Sequence, residues 1–179
     1  MRNTTLGYIE RDGKYLMLHR VKKENDLNHD KWIGIGGTFE DKESPEECML
    51  RETREETGLT LTHMEYRGIV TFVSDRYETE YMHLFWADRF TGTIRECDEG
   101  VLEWIPKEKL RAIPKWEGDD IFLSLLEQRV PFFSLKLSYR GDVLTEAILN
   151  GLPLRIGGCG NQGQNEAADR AAQQHTENK

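Results

Sequence analysis

Three glutamates, Glu52, Glu55 and Glu56, lie at i, i+3 and i+4 in the run PEECMLRETREET at 45–57. At helical periodicity these positions share one face, and Cys48 falls on it too. Apolar residues are scarce in the run, with Met49 and Leu50 a narrow stripe elsewhere. From Thr38 to Glu56 there are eight acids and three bases, a net of −5 out of a formal chain charge of −8. Like charges at this spacing repel by roughly a few tenths of a kcal/mol per pair. Two readings are open. One is a solvated acidic face. The other is a site for a hard divalent cation, since magnesium takes oxygen ligands and its charge would relieve the repulsion. A glycine turn containing Gly34, Gly36 and Gly37 lies just upstream.

Such a face needs a helix with fixed ends. Ser44 is placed to cap it, Pro45 suits the first helical position, and Glu47 completes a capping box. Gly58 follows Thr57 at the usual left-handed stop position. Around this helix the pattern predicts strands. Two apolar runs flank Asp12-Gly13, a hairpin signal. Further strands are expected over 68–74, 80–90 and 101–106, with one helical turn over 107–111. A second helix is expected over 118–129, with Ile121, Leu125 and Leu126 along one side, and a last hairpin around Arg140-Gly141. Strands with two intervening helices predict an α+β fold, a mixed sheet packed between helices.

The chain has 179 residues, 37% hydrophobic and 31% charged, enough for one domain over 1–156. Residues 157–179 contain no Leu, Ile, Val, Phe, Tyr or Trp, and read as a polar, disordered tail with a frayed helix over 166–174. The net charge of −8 argues against a nucleic-acid polymer as partner. No apolar run approaches the roughly 18 residues that span a membrane. Met1–Tyr8 has no apolar signal core. The three cysteines, Cys48, Cys97 and Cys159, lack zinc spacing, and their odd number fits a reducing compartment. A cytoplasmic location with no membrane and no obligate protein partner is expected.

Spacing separates the two readings of the acidic face. Gly37, five residues, Glu43, seven residues, then Arg51-Glu52-Thr53-Arg54-Glu55-Glu56-Thr57-Gly58-Leu59 resembles the Nudix box, G-x5-E-x7-R-E-U-x-E-E-x-G-U, with U bulky and apolar. At roughly one chance in fifteen per position, a random match at Gly37, Glu43, Arg51, Glu52, Glu55, Glu56 and Gly58 is on the order of 10⁻⁸ per starting point. Thr53 departs mildly at a U position, where its methyl is expected to pack. The resemblance implies an α/β/α sandwich with a mixed central sheet and a loop–helix–loop catalytic motif. It also implies cleavage of a nucleoside diphosphate linked to another group, with Mg2+ or Mn2+. By position, Glu52, Glu55 and Glu56 resemble metal ligands, joined by the carbonyl of Gly36. Glu52 is also the position often assigned to activating water, and Arg51 with Glu43 resembles a supporting ion pair. This agrees with the chemistry, since diphosphate cleavage loads charge onto oxygens that metals neutralise.

Over about residues 3–150 the chain is similar to the MutT-like branch that removes oxidised purine nucleoside triphosphates. Glu99 falls where that branch places a further metal-binding or catalytic glutamate. Arg20 sits where relatives contact nucleotide phosphates. In WEGDD at 116–120, Trp116 matches a residue that walls the purine and Asp119 one that accepts from it. Ile33 replaces an asparagine of the animal enzymes and could pack on the purine face instead. Lys22, Lys23 and His29 are either phosphate steerers or solvent residues. Other readings stay open: Trp116 as a core residue, Asp119 or Asp120 as a helix cap, Arg20 as a surface arginine, Glu99 as turn charge. The implied function is Mg2+-dependent hydrolysis of a small nucleotide, 8-oxo-dGTP first, to monophosphate and pyrophosphate, as nucleotide-pool sanitation. The alternatives are another substrate, such as ADP-ribose or a dinucleoside polyphosphate, and a non-catalytic ligand sensor.

Overall fold

A computed structural model describes residues 1–22 and 27–156. The tail at 157–179, with the helix expected over 166–174 and Cys159, and Lys23 lie outside the described residues. The chain folds as two compact units. One comprises Asn3–Tyr66 and His83–Lys115, and the other Met1–Arg2, Arg67–Met82 and the chain from Trp116 onward.

In the first unit, β1 (Arg2–Arg11) pairs antiparallel with β2 (Lys14–His19), with Ile9 opposite Leu16. Asp12 and Gly13 both have positive φ, 51° and 71°. That is the backbone of a two-residue hairpin turn whose twist matches its strands. β2 also pairs with β3 (Trp32–Ile33) and β6 (Val101–Pro106), and a 3-10 turn at Lys107–Ala112 follows. Helix α1 spans Pro45–Thr57. Ser44 accepts from the Glu47 N–H at 3.2 Å while Glu47 accepts from the Ser44 N–H at 2.8 Å, so the capping box is complete. Gly58 ends the helix at φ 77°. The helix is less outward-facing than its charge suggests: Cys48, Met49, Thr53, Glu56 and Thr57 are buried, and Leu50 is exposed. Met49 joins Ile9, Leu16, Leu18, Ile35, Leu59 and Phe85 in the core. It does so because Gly7 has no side chain: a Cβ there would lie 2.4 Å from the Met49 methyl.

Two long strands, β4 (Leu59–Ser74) and β5 (Glu80–Gly92), pass from one unit into the other. β4 is longer than the expected 68–74. In the second unit its end pairs parallel with β7 (Phe133–Arg140), from Gly68–Phe133 to Ser74–Tyr139. β7 then pairs antiparallel with β8 (Val143–Leu149), and β8 with the short β9 (Leu152–Pro153). The parallel β4–β7 pairing beside antiparallel ones makes the sheet mixed, as expected. Helix α2 spans Asp119–Glu127 and buries Phe122, Leu123, Leu125 and Leu126. No helix among the described residues is long and apolar enough to cross a membrane.

Candidate active site

Arg51, on the middle turn of α1, is the hub of the acidic face. Its Nε and Nη2 donate to the two Glu43 oxygens at 2.6 and 2.9 Å. Its Nη1 donates to Glu52 at 2.8 Å and Glu55 at 3.1 Å, and Nη2 also reaches the Thr38 carbonyl at 3.1 Å. A guanidinium is the side chain suited to this, because it offers five donors in a rigid fork. The bond from Arg51 holds the Glu43 carboxyl down to about 2, and Glu43 in turn keeps Arg51 firmly protonated. Glu52 is shifted the other way. Burial raises its pKa, Arg51 opposes the rise, and the charges of Glu55 and Glu99 add to it.

The glycine turn carries the rest. Ile35 and Gly37 exchange backbone bonds with β1: Ile35 N–H to Gly7 O at 2.9 Å, Thr5 N–H to Gly37 O at 2.8 Å. The approach is too close for side chains. A Cβ on Gly36, at φ +151°, would lie 2.2 Å from the Thr5 carbonyl oxygen. A Cβ on Gly37 would lie 2.3 Å from Glu52 Oε1, so this glycine is the space into which the carboxylate fits. The Gly36 N–H donates to Glu56 at 3.0 Å. Glu56 is only 7% exposed. Burial pushes its carboxyl up to about 8 against that bond, and the Glu52 and Glu99 charges raise it further. Thr5 also contacts Cys48 Sγ at 3.5 Å, and burial pushes that thiol up to about 11. Cys48 is therefore a packing residue at neutral pH.

Glu99 lies in the segment between β5 and β6, where it pairs with Arg20. These residues were assigned separately, to metal and to phosphate; the fold joins them. Lys22, a candidate phosphate steerer, donates instead to the Cys97 carbonyl at 2.6 Å. His29 is exposed. Ile33 is half-buried against the core, opposite Leu18 in β2. Beside it Trp32 stacks on His19 at 4.5 Å, and His19 bonds Asp30 at 2.8 Å.

A donor set of carboxylates is the chemistry of a hard cation site. The charges of Glu52, Glu56 and Glu99 act on one another, and the Gly37 cradle leaves the Glu52 oxygens room. Among the described residues, however, no three Asp, Glu, His or Cys side chains are drawn together as a finished ligand cluster. Protein cations and N–H groups hold them instead: Arg51 holds Glu52 and Glu55, Gly36 holds Glu56, and Arg20 holds Glu99.

The NUDIX domain family matches residues 2–126, a stretch that contains this whole constellation. The chain belongs to the Nudix family. An oxidized purine nucleoside triphosphate hydrolase from Danio rerio is 30% identical over 144 residues, 79% of this chain and 90% of that protein. The CTP pyrophosphohydrolase of Escherichia coli K12 is also 30% identical, over 138 residues, 75% and 93% of the two chains. A crystal structure of a mutator MutT protein from Bacillus halodurans has a TM-score of 0.74 at 24% identity, over 86% of this chain and 100% of that one, a likeness of fold. The fold is thus the α+β Nudix sandwich and the chain is a hydrolase of that family.

The two residues assigned to the base of a Nudix substrate lie in the second unit. Trp116 is buried edge-on to Phe72 and Tyr139, at 5.3 and 5.0 Å. Asp119 is buried as the first residue of α2, its N–H bonded to the Trp116 carbonyl at 3.1 Å. Neither Asp119 nor Asp120 caps the helix: the cap position is Gly118, with no side-chain bond, and its N–H donates to the Tyr139 hydroxyl at 2.9 Å. Both aspartates lie in the first turn, where the helix dipole favours negative charge. Sequence reasoning missed Thr5, the Thr38 carbonyl and the Gly36 N–H. Backbone partners and long-range contacts of this kind leave no spacing to read.

Proposed function

We propose that this Nudix hydrolase cleaves nucleoside triphosphates to monophosphate and pyrophosphate with Mg2+, with oxidised purine nucleotides, 8-oxo-dGTP first, as substrates. The observation that carries the reading is the Glu43–Arg51–Glu52/Glu55 network, closed by Glu56 on the Gly36 N–H. Glu52, Glu55, Glu56, Glu99 and the Gly36 carbonyl would hold the cation, with Mn2+ a substitute. Bound there, it would neutralise charge on the diphosphate oxygens. Arg51 fixes the direction of Glu52, whose raised pKa suits a group that takes the proton of an attacking water. Arg20 supplies a guanidinium for a phosphate, for which it would exchange Glu99. Trp116 and Asp119 are the candidates for walling and hydrogen-bonding the base, and Ile33 for an apolar contact with it. Such a nucleotide-pool enzyme fits a cytoplasmic location and needs no nucleic-acid polymer or protein partner.

A second substrate reading has its own support. The relative named for CTP is as similar as the relative named for oxidised purines, and Ile33 brings no polar base contact. CTP therefore joins ADP-ribose and dinucleoside polyphosphates as alternative substrates. Pyrophosphate release over a panel of 8-oxo-dGTP, dGTP, dATP, CTP, ADP-ribose and a dinucleoside polyphosphate, with and without chelator, decides. The expected result is Mg2+-dependent turnover with the highest kcat/KM for 8-oxo-dGTP. A lead for CTP or ADP-ribose replaces the substrate and keeps the site. Chelator-insensitive turnover overturns the metal reading, and binding without turnover favours a sensor.

A further inference from the structure

We propose that Arg95 is a positioning residue that sets the Glu99 segment against the C-terminal end of α1. The inference rests on the reading of Glu52, Glu55, Glu56 and Glu99 as cation ligands. These ligands come from two elements, and Arg95 bonds one to the other. The last carbonyls of an α-helix have no intrahelical donor. In α1 the Arg54 carbonyl accepts from the Gly58 N–H at 3.0 Å and from Arg95 Nη2 at 2.8 Å. The Thr57 carbonyl accepts from the Arg95 N–H at 2.9 Å. Arg95 thus serves two carbonyls of the last turn and places its charge where the helix dipole is negative.

The space for this contact is built by two glycines. A Cβ on Gly58 would lie 2.7 Å from Arg95 Nε and 2.8 Å from its Cγ, and a Cβ on Gly92 would lie 2.7 Å from the Gly58 carbonyl oxygen. On the helix side, Arg54 is followed directly by Glu55 and Glu56. On the other side, Arg95 precedes Glu99 by four residues. Between them Cys97 is buried, and its carbonyl takes Lys22 Nζ at 2.6 Å. The segment is therefore pinned at Arg95, at Cys97 and at Glu99 itself, whose carbonyl accepts from the Lys22 N–H at 3.4 Å and whose carboxylate pairs with Arg20; of these pins, Arg95 is one that reaches α1.

The test is a Mn2+ titration of the full chain, read by electron paramagnetic resonance without substrate, at a temperature where every variant is folded by circular dichroism. Arg95→Ala is expected to weaken Mn2+ binding about tenfold, the lower end for residues that orient metal ligands. kcat should fall with it and the nucleotide KM should hold. Arg95→Lys should recover most of the affinity, because an ammonium can still donate to the Arg54 carbonyl. In a Glu99→Gln background the Arg95→Ala loss should shrink toward none, since residues acting through one another are not additive. Wild-type Mn2+ affinity in Arg95→Ala, or the same loss with and without Glu99, would overturn the proposal even if only the melting temperature fell. If Arg95→Ala does not fold, Arg95→Gln takes its place, and wild-type affinity there overturns the proposal equally. Failure of the wild type to bind Mn2+ would remove the ligand reading as well, which separates the two failures.

Discussion

Glu52 is half-buried, gripped by Arg51 and fitted against a glycine, and each feature has a measurable consequence. Glu52→Gln keeps the shape and removes the proposed base, so kcat should fall by about 10²–10⁴-fold, the usual worth of a positioned proton acceptor, with the far-ultraviolet spectrum and melting point retained. A near-normal rate would take Glu52 out of the chemistry. Gly37→Ala makes the subtler case. The new methyl would occupy the position 2.3 Å from Glu52 Oε1, and the carboxylate tip is the part able to move. The chain should fold, and kcat should drop by up to about 10²-fold, since displacements near 1 Å can cost that much. Equal kcat in Gly37→Ala and wild type would show that the Glu52 position tolerates the shift. The box spacing made Glu43, Arg51 and the three helix glutamates legible in the sequence. It could not reveal that Arg20 and Glu99 pair, because two residues 79 positions apart meet only through the fold.

At the scale of elements, α1 is the part whose design is most local, and so the most legible. Ser44, Pro45, Glu47 and Gly58 all act where their residue types predict. Removing the cap should therefore have a predictable cost. Ser44→Ala leaves the Glu47 N–H without its acceptor and should destabilise the protein by about 1 kcal/mol, whereas Ser44→Gly should cost only a few tenths. Urea unfolding reads both, and equal midpoints for Ser44→Ala and wild type would show that the box is not formed in solution. The strands were less legible. In β4, Leu59 and Leu61 alternate with Thr60 and Thr62, but His63, Glu65 and Arg67 break the apolar pattern, and only the stretch from 68 reads as strand. The two-residue strands β3 and β9 are set by their partners and carry no pattern of their own. Burial on α1 was legible in part: Thr53 packs, as its box position implies, at 0% exposure. Glu56 and Thr57 are polar types whose burial the spacing does not show, Glu56 with a backbone donor and Thr57 on the Thr53 carbonyl at 2.6 Å.

For the whole molecule, two carboxyls make stability depend on pH in opposite directions. Glu43 has its pKa lowered from 4.5 to about 2. Its contribution is complete above 4.5 and is lost as pH falls through about 2. Glu56 has its pKa raised from 4.5 to about 8. Between those values the folded state keeps a proton that the unfolded chain releases, so stability declines as pH rises and the contribution is gone above about 8. Without metal, both contributions are intact only near pH 4.5, and the melting temperature should fall as pH is raised from there. On the proposed metal reading, a divalent cation at the acidic set would take the place of that proton. Its binding should release protons and tighten as pH rises toward 8. Because it binds the folded state, it should also raise the melting temperature, most at the alkaline end. Scanning calorimetry over this range, with chelator and with excess Mg2+, should give curves that diverge as pH rises. Parallel curves would mean that Glu56 does not exchange its proton for the cation. Glu56→Gln, which removes the titrating group and keeps the acceptor for Gly36, should flatten the chelator curve.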